Sequence, residues 1–265
     1  MRLLAYLNES RTRPIKEDEF IKLINTTHKD SVKNLGIDNC IFRGAYIEGM
    51  FSKTNPKNGD PRVSANSSNE YTLLVDNLPC WKGYPKRSRS LICSTSFETA
   101  HDYGDGVNIV LPKNGSKIGV CDSNDFWVSF PYLSVSMDIR NMDSFNHILG
   151  TWIGEDNDKN WNTLKSAIAN FDEVHKDETD WIEWWRTYHF LLSEQLYTKW
   201  DSMGRNLMRV LNDILDPKKN GFTLEKIGKS YFPNDREVWT DGECINVYVE
   251  KDELETINWI KEQLR

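Results

Sequence analysis

YFPNDREVWTDGECINVYV, residues 231–249, holds two β-prone runs, Glu237–Thr240 and Cys244–Val249, on either side of an Asp-Gly turn. Two such runs around an Asp-Gly pair are the local signature of a β-hairpin. Two carboxylates, Asp235 and Glu237, are separated by a single residue where a loop becomes the first strand. Residues i and i+2 of a strand face the same side, so the pattern predicts that both acids enter one space. A solvated strand end is the alternative interpretation, because two close carboxylates repel each other unless water solvates them or they have different roles.

Length and composition limit the classes of protein that fit. The chain has 265 residues and a formal net charge of -7. An acidic balance disfavours a general nucleic-acid binder, because phosphate neutralisation requires a basic surface. The five cysteines form no Cys-x-x-Cys pair, which favours reduced, mostly buried thiols over a disulfide framework or a zinc site. No metal-ligand spacing, signal-peptide pattern or bilayer-length apolar run is present, so we expect a cytoplasmic protein with no metal and no membrane contact.

The order of the segments predicts an α+β protein. Residues 15–35 have apolar groups at helical spacing, and β-prone runs follow them. Residues 52–68 are rich in Ser, Asn, Gly and Pro and are predicted to be a loop. Helical periodicity dominates from about 138 to 228, and a last helix is predicted over 253–264. We interpret 1–265 as a single domain with a helical insertion at about 138–228, whose aromatic residues form a core; a partner-binding surface is the less favoured interpretation.

Polar residues occur at the ends of two apolar strands. Arg43 lies near the end of the run Cys40–Ala45, where a guanidinium needs water, a carboxylate or a phosphate as partner. The run Ser90–Ser96 ends in three hydroxyl residues, and Ser96 is placed to cap a short helix that stops at Gly104.

A small basic cluster surrounds Trp81 and Tyr84. It consists of Lys82, Lys86, Arg87 and Arg89. A functional interpretation is attraction of a dinucleotide pyrophosphate or a polynucleotide. A solvated loop is an equally good interpretation of the same four residues.

Three short motifs, taken in chain order, resemble the mono-ADP-ribosyltransferases of the Arg-Ser-Glu type, a superfamily with phage and bacterial toxin or effector members. The motifs are Phe42-Arg43-Gly44, Ile92-Cys93-Ser94-Thr95-Ser96 and Asp235-Arg236-Glu237-Val238. Each is weak alone, and the resemblance covers roughly half of the chain. It implies a split, twisted antiparallel β-core that binds NAD as a substrate in a cleft.

The resemblance also implies roles for residues that bind NAD. Arg43 would contact the dinucleotide phosphates or the adjoining ribose, which suits a bidentate cation. Backbone groups of Gly44 would hold the nicotinamide amide. Ser94, Thr95 and Ser96 would brace the cleft and the catalytic glutamate.

Two carboxylates would carry the chemistry. By the resemblance, Glu237 would bind the 2′-hydroxyl of the nicotinamide ribose and stabilise the oxocarbenium-like cation as nicotinamide leaves. Asp235 stands where the family usually carries a Glu or Gln that orients the acceptor. Its side chain is one methylene shorter, so the type of acceptor stays open.

The sequence therefore predicts an NAD-dependent mono-ADP-ribosyltransferase whose acceptor is a macromolecule, in the first place a protein side chain. Water as acceptor would make it an NAD glycohydrolase. Transfer to nucleic acid would use Lys86, Arg87 and Arg89, and the acidic net charge argues against it. A non-catalytic module that retains the fold and binds a protein through the helical block is the alternative from another class.

Overall fold

The structure is a computed structural model that describes residues 12–63, 69–137, 139, 142–154, 160–176, 192–228, 231–250 and 252–265. The chain forms two compact units, which are described separately. The first comprises residues 1–63, 83–126 and 223–265, and the second comprises 64–82 and 127–222. Part of the predicted helical insertion, including Trp181, Trp184, Trp185 and Tyr188, lies outside the described residues.

The first unit contains an antiparallel sheet of nine described strands. They are β1 (Arg13–Pro14), β2 (Phe42–Gly44), β3 (Phe51–Thr54), β4 (Leu91–Ser94), β5 (Val107–Pro112), β6 (Lys117–Val120), β7 (Thr223–Lys226), β8 (Glu237–Thr240) and β9 (Cys244–Tyr248). Their order in the sheet is β1-β3-β9-β5-β2-β4-β8-β6-β7. This mixture of helices and antiparallel strands confirms the α+β class.

The described helices of the first unit pack beside the sheet, and helices make up most of the described part of the second unit. In chain order they are α1 (Glu17–Ile24), α2 (Lys29–Lys33), α3 (Glu70–Asn77), α4 (Phe97–His101), α5 (Pro131–Met137), α6 (Met142–Ile153), α7 (Trp161–His175), α8 (Leu192–Ser202), α9 (Leu207–Ile214) and α10 (Glu253–Glu262). The predicted helices near both ends of the chain are thus confirmed as α1, α2 and α10. No described helix is long and apolar enough to cross a membrane.

Two strands overlap segments that the sequence assigned to a loop and to a helical block. β3 begins the predicted loop at 52–68, and β7 lies inside the predicted helical insertion. β7 is an edge strand with largely exposed side chains, so it lacks the apolar alternation that marks a half-buried strand. β3 lies between β1 and β9, and its residues Phe51, Ser52 and Thr54 are all buried. Buried and exposed residues therefore do not alternate along it.

The predicted hairpin of β8 with β9 is wrong. β8 pairs with β4 and β6, whereas β9 pairs with β3 and β5, so the Asp-Gly turn carries the chain from one part of the sheet to another. The Asp-Gly pair indicates a change of chain direction, but it does not decide which strands pair on either side. The partner of β9 is decided by a long-range match to the fully buried strand β5, five residues in register.

The sheet has a narrow joint between β2 and β4. These strands share one register pair, Phe42 with Ser94. On one side of the joint lie β1, β3, β9, β5 and β2, and on the other lie β4, β8, β6 and β7. The joint therefore connects two better-paired halves through a single residue pair.

Each face of the sheet has its own apolar core. Phe42, Ile109 and Val247 face α1, α2 and α10, and Phe20 of α1 stacks on Phe51 with ring centroids 4.4 Å apart. The opposite face carries a second cluster, which includes Ile41, Leu91, Cys93, Val110, Ile118, Val120, Val238 and Cys244. Residues 42 and 43, which are neighbours on β2, consequently point toward different cores.

The described part of the second unit is a helical bundle. Asn160 and Asn206 cap α7 and α9, because each side chain accepts a backbone N–H three residues ahead. Phe171 of α7 packs edge-on against Trp200 of α8, with ring centroids 5.8 Å apart. These contacts confirm that aromatic residues of this block which the structure describes contribute to a core.

Candidate functional site

Ser94 and Glu237 meet across the sheet beside the joint. Ser94 is the register partner of Phe42 on β2 and of Glu237 on β8. Residues directly opposite each other in an antiparallel pair share a face, so the Ser94 and Glu237 side chains lie on the same side of the sheet. Ser94 is buried, and its Oγ accepts the Ser96 N–H at 3.0 Å.

The segment that follows Ser94 is hydrogen-bonded to the segment that precedes Glu237. Thr95 Oγ1 donates to the Pro233 carbonyl at 2.7 Å and accepts the Arg236 N–H at 2.8 Å. The Thr95 N–H donates to the Arg236 carbonyl at 2.9 Å. Ser96 confirms its predicted capping role, since its Oγ accepts the Thr99 N–H at 3.2 Å. The three hydroxyl residues thus fix the loop that leads into Glu237 and begin α4.

Both carboxylate oxygens of Glu237 contact protein donors. Arg87 Nη2 lies 2.6 Å from Glu237 Oε1, and the two side chains are 4% and 12% exposed. Glu237 Oε2 accepts the Phe126 N–H at 3.0 Å. The Arg87 guanidinium also lies 3.9 Å from the centroid of the Phe126 ring, a cation–π contact. The result is a nearly buried carboxylate that two neighbouring groups orient from different directions.

Trp239 anchors the loop that delivers Arg87. Its indole N–H donates to the Pro85 carbonyl at 2.9 Å, and its ring stacks on Tyr84 with centroids 6.2 Å apart. Gly119, its register partner on β6, makes this packing possible. A Cβ at Gly119 would lie 2.3 Å from the Trp239 ring.

Asp235 does not extend the strand. Its φ is 53°, in the left-handed region that Asp tolerates better than most residues, and β8 begins only at Glu237. The same-face prediction for Asp235 and Glu237 is therefore wrong, because strand alternation does not apply at Asp235. Its carboxylate instead accepts the Thr99 hydroxyl at 2.8 Å and the Asn124 amide at 3.1 Å. Asp235 and Glu237 stay close in sequence but have separate hydrogen-bond partners.

Arg43 belongs to the other face of the joint. It follows Phe42 on β2, it is 7% exposed, and its Nη1 donates to the Ile92 carbonyl on β4 at 2.5 Å. Burial raises the pKa of the Cys244 thiol well above its usual value, and the nearby Arg43 guanidinium opposes that rise. Cys244 belongs to the core opposite Phe42, so Arg43 lies on the opposite face of the sheet from Phe42, Ser94 and Glu237.

Gly44 is closely packed against the turn after α4. A Cβ on Gly44 would lie 1.9 Å from the Ala100 carbonyl oxygen, and one on Gly104 would lie 2.7 Å from the Gly44 carbonyl carbon. Gly44 therefore lacks a side chain where its backbone packs directly against the backbone of Ala100 and Gly104.

Sequence reasoning missed Arg87 and Phe126 as partners of Glu237. The basic cluster was the available signal, but it gave no indication that its members have different environments. Lys82 and Lys86 are exposed, Arg89 Nη1 donates to the Gly59 carbonyl, and Arg87 is buried. Arg87 precedes β4, and β4 pairs with β8, which begins at Glu237. This pairing joins distant segments, so local patterns do not reveal it.

The thiols and the buried histidine have perturbed titration. All five cysteines lie in described segments as free thiols, and burial raises the pKa of Cys40 and raises that of Cys80 to about 12. Such thiols are poor nucleophiles near neutral pH.

Burial lowers the pKa of His28 to about 4, with Lys53 and Lys113 acting in the same direction and Glu243 opposing them. Within the described residues, no group of three His, Cys, Asp or Glu side chains could hold a metal ion.

The second unit has an open groove of about 630 Å³ at the turn between α8 and α9. Its lining is Pro79, Ser202, Met203, Gly204, Met208, Arg209, Asn212, Asp213 and Asp216. Hydrogen bonds from Lys199 and Lys219 hold the pKa of Asp213 below its usual value, although burial opposes them. This groove contains none of the predicted site residues.

Comparison with protein-family models, with curated proteins and with solved structures found no match to this chain.

Proposed function

We propose that this chain is an NAD-dependent mono-ADP-ribosyltransferase that transfers ADP-ribose to a macromolecular acceptor, in the first place a protein side chain. The observation that carries the proposal is the pairing of Ser94 with Glu237 beside the joint of the sheet. It joins two of the three motifs by direct register, and Thr95 adds hydrogen bonds between the same two segments. The single-pair joint is also a feature that a split β-core of the ADP-ribosyltransferase type would require.

Glu237 supplies the chemistry in this proposal. The bond between the nicotinamide nitrogen and C1′ of its ribose breaks, and its electron pair leaves with nicotinamide. C1′ develops positive charge, which a fixed carboxylate stabilises without having to reorganise. The acceptor nucleophile then forms the new bond to C1′ and loses a proton to the surroundings. Glu237 suits this role because it is held in place by Arg87 and Phe126 and is still 12% exposed.

Asp235 takes the acceptor side of the proposed site. Its carboxylate is partly exposed and accepts hydrogen bonds from the Thr99 hydroxyl and the Asn124 amide, which fix its orientation. A carboxylate there would favour an acceptor that brings hydrogen-bond donors. Hydrolysis by water uses the same bond breakage and would release free ADP-ribose.

The residues proposed to bind NAD are revised by their environments. Arg43 donates across the joint to Ile92, and Gly44 packs against Ala100, so both have contacts that maintain the fold. The proposal therefore rests on Glu237, Ser94, Thr95, Ser96 and Asp235. It does not require Arg43 to contact the dinucleotide phosphates.

A non-catalytic binding module is the second candidate. The observation in its favour is that both Glu237 oxygens already accept contacts from the protein, as in a carboxylate that only stabilises a fold. Glu237 Oε2 accepts only one backbone N–H, however, and the side chain is 12% exposed, so a second acceptor site is left for a ribose hydroxyl. Consumption of NAD distinguishes the two candidates.

Incubation of the purified protein with NAD labelled in the adenylate moiety and a cell lysate tests the proposal. We expect label on macromolecules together with release of nicotinamide. Label that is removed by protease identifies a protein acceptor, and label removed by nuclease identifies nucleic acid. Nicotinamide release without label would identify a glycohydrolase, and intact NAD at high protein concentration would support the binding module.

A further inference from the structure

We propose that Arg87 is a positioning residue for Glu237, an inference that rests on the proposed function and deepens it. Arg87 was grouped by sequence with three other basic residues that could attract phosphate. Its side chain is 4% exposed, and its nearest carboxylate oxygen is Glu237 Oε1 at 2.6 Å. A cation so placed acts on the carboxylate and has little surface to offer to a ligand.

The Arg87 guanidinium is held on more than one side. Its Cζ lies 3.9 Å from the Phe126 ring centroid and 5.8 Å from that of Trp239. A planar guanidinium stacks on an aromatic face while its edge donors point outward, which an ammonium group cannot reproduce. The stack therefore determines the direction from which Arg87 approaches Glu237.

Phe126 contributes to the same carboxylate from its backbone. Its ring supports Arg87 and its N–H donates to Glu237 Oε2, so one residue couples both contacts. Arg87 therefore contacts one oxygen of Glu237 and the Phe126 N–H the other, and the Glu237 side chain keeps 12% of its surface exposed.

The position of the Glu237 carboxylate affects kcat, because a misplaced reacting group lowers the rate of the chemical step. A displacement of about 1 Å can lower turnover about a hundredfold even where binding is preserved. Loss of Arg87 should therefore lower kcat for nicotinamide release and leave KM for NAD unchanged. A residue that bound NAD directly would change KM instead.

The test compares wild type with Arg87→Gln and Arg87→Lys at a temperature where circular dichroism shows each to be folded. We expect kcat to fall about a hundredfold in Arg87→Gln. Arg87→Lys keeps a cation but loses the planar stack, so its kcat should lie between the two. Arg13→Gln is the matched control, because Arg13 also lies 2.6 Å from a carboxylate oxygen, that of Glu19, in an exposed pair. Its kcat and KM should equal those of wild type.

Hydrogen exchange of single amides supplies a readout that does not need NAD. The Phe126 N–H donates to the Glu237 side chain, whereas the Cys121 N–H donates to the Glu237 backbone carbonyl at 2.9 Å. In Arg87→Gln the Phe126 amide should exchange faster while the Cys121 amide keeps its protection. Equal protection of Phe126 in both proteins would overturn the positioning role.

The remaining outcomes separate this inference from the proposed function. Faster exchange at Phe126 with an unchanged kcat, or a raised KM with an unchanged kcat, would also overturn it. If wild type releases no nicotinamide, the proposed function fails and the catalytic meaning of Arg87 fails with it. Faster exchange at Phe126 in that case would still show that Arg87 orients Glu237, as part of the fold.

Discussion

The two faces of the sheet at the joint each contain a buried arginine, and the two arginines have different partners. On one face, Arg43 donates to the carbonyl of Ile92, near the thiol of Cys244. On the other, Arg87 pairs with the carboxylate of Glu237, whose side chain is 12% exposed. Burial of a charge is common to both, so burial alone does not mark a functional site. What distinguishes a candidate functional site is the group that the buried charge contacts and whether solvent reaches that group.

Glu237→Gln and Arg87→Gln should have the largest effects on stability. Each variant leaves the other group of a buried pair without its partner, which lowers the free energy of unfolding by about 3–5 kcal/mol. The double variant, with both charges removed, should lose less than the sum of the two single changes. Urea denaturation of the four proteins measures this coupling. Additive losses would contradict a direct pair.

His28, a third buried basic side chain, tests whether burial outweighs a nearby carboxylate, since Glu243 raises its pKa and burial lowers it further than that. Its pKa is about 4 in the folded chain against 6.5 when unperturbed, so between these values the unfolded chain binds more protons. Stability is fully present above pH 6.5 and should fall by about 3 kcal/mol as the pH drops to 4.

Urea midpoints measured across this pH range, for wild type and His28→Gln, provide the measurement. The variant lacks the titrating imidazole, so its stability should depend less on pH than that of wild type. Parallel pH profiles for the two proteins would show that other groups cause the acid sensitivity.

Arg43→Met should have an intermediate effect. The change removes the donor that Arg43 provides to the Ile92 carbonyl and should lower the free energy of unfolding by about 2 kcal/mol. KM for NAD should stay at the wild-type value, because Arg43 lies on the face opposite Glu237. A raised KM with unchanged stability would restore the binding role that the resemblance implies and would remove the contrast between the two faces.

Arg13→Gln should have the smallest effect. The pair of Arg13 with Glu19 has the same 2.6 Å separation as the buried pair, but its side chains are 58% and 37% exposed. Exposed pairs contribute about 0–1 kcal/mol because water and salt screen them. A loss as large as that of Arg87→Gln would show that distance, and not burial, decides the strength of these pairs.

Local rules predicted the elements better than their partners. Ser96 was identified as a helix cap and α1, α2 and α10 were anticipated, because caps and helical periods are written in neighbouring residues. The β8–β9 hairpin was wrong because strand pairing depends on a match between distant segments, here β9 with β5. The same limitation explains why Arg87 was assigned to a surface cluster.

The candidate site was predictable in part. Chain order brought Ser94 and Glu237 to attention, and register makes them direct neighbours. The side on which Arg43 lies depends on its position after Phe42 and on how β2 meets β4, neither of which a motif specifies. Asp235 was assumed to follow strand alternation, and its positive φ could not be inferred from a Pro-Asn-Asp lead.

The most direct test of the central claim measures nicotinamide release from NAD. It compares wild type with Glu237→Asp and Glu237→Gln, each under conditions where that protein is folded. Glu237→Asp keeps the charge but withdraws it by one methylene, which separates the need for an anion from the need for its position. The account predicts turnover by wild type, a reduced rate in Glu237→Asp and a loss of at least about a hundredfold in Glu237→Gln. Equal turnover by wild type and Glu237→Gln, or no turnover by wild type, would contradict it.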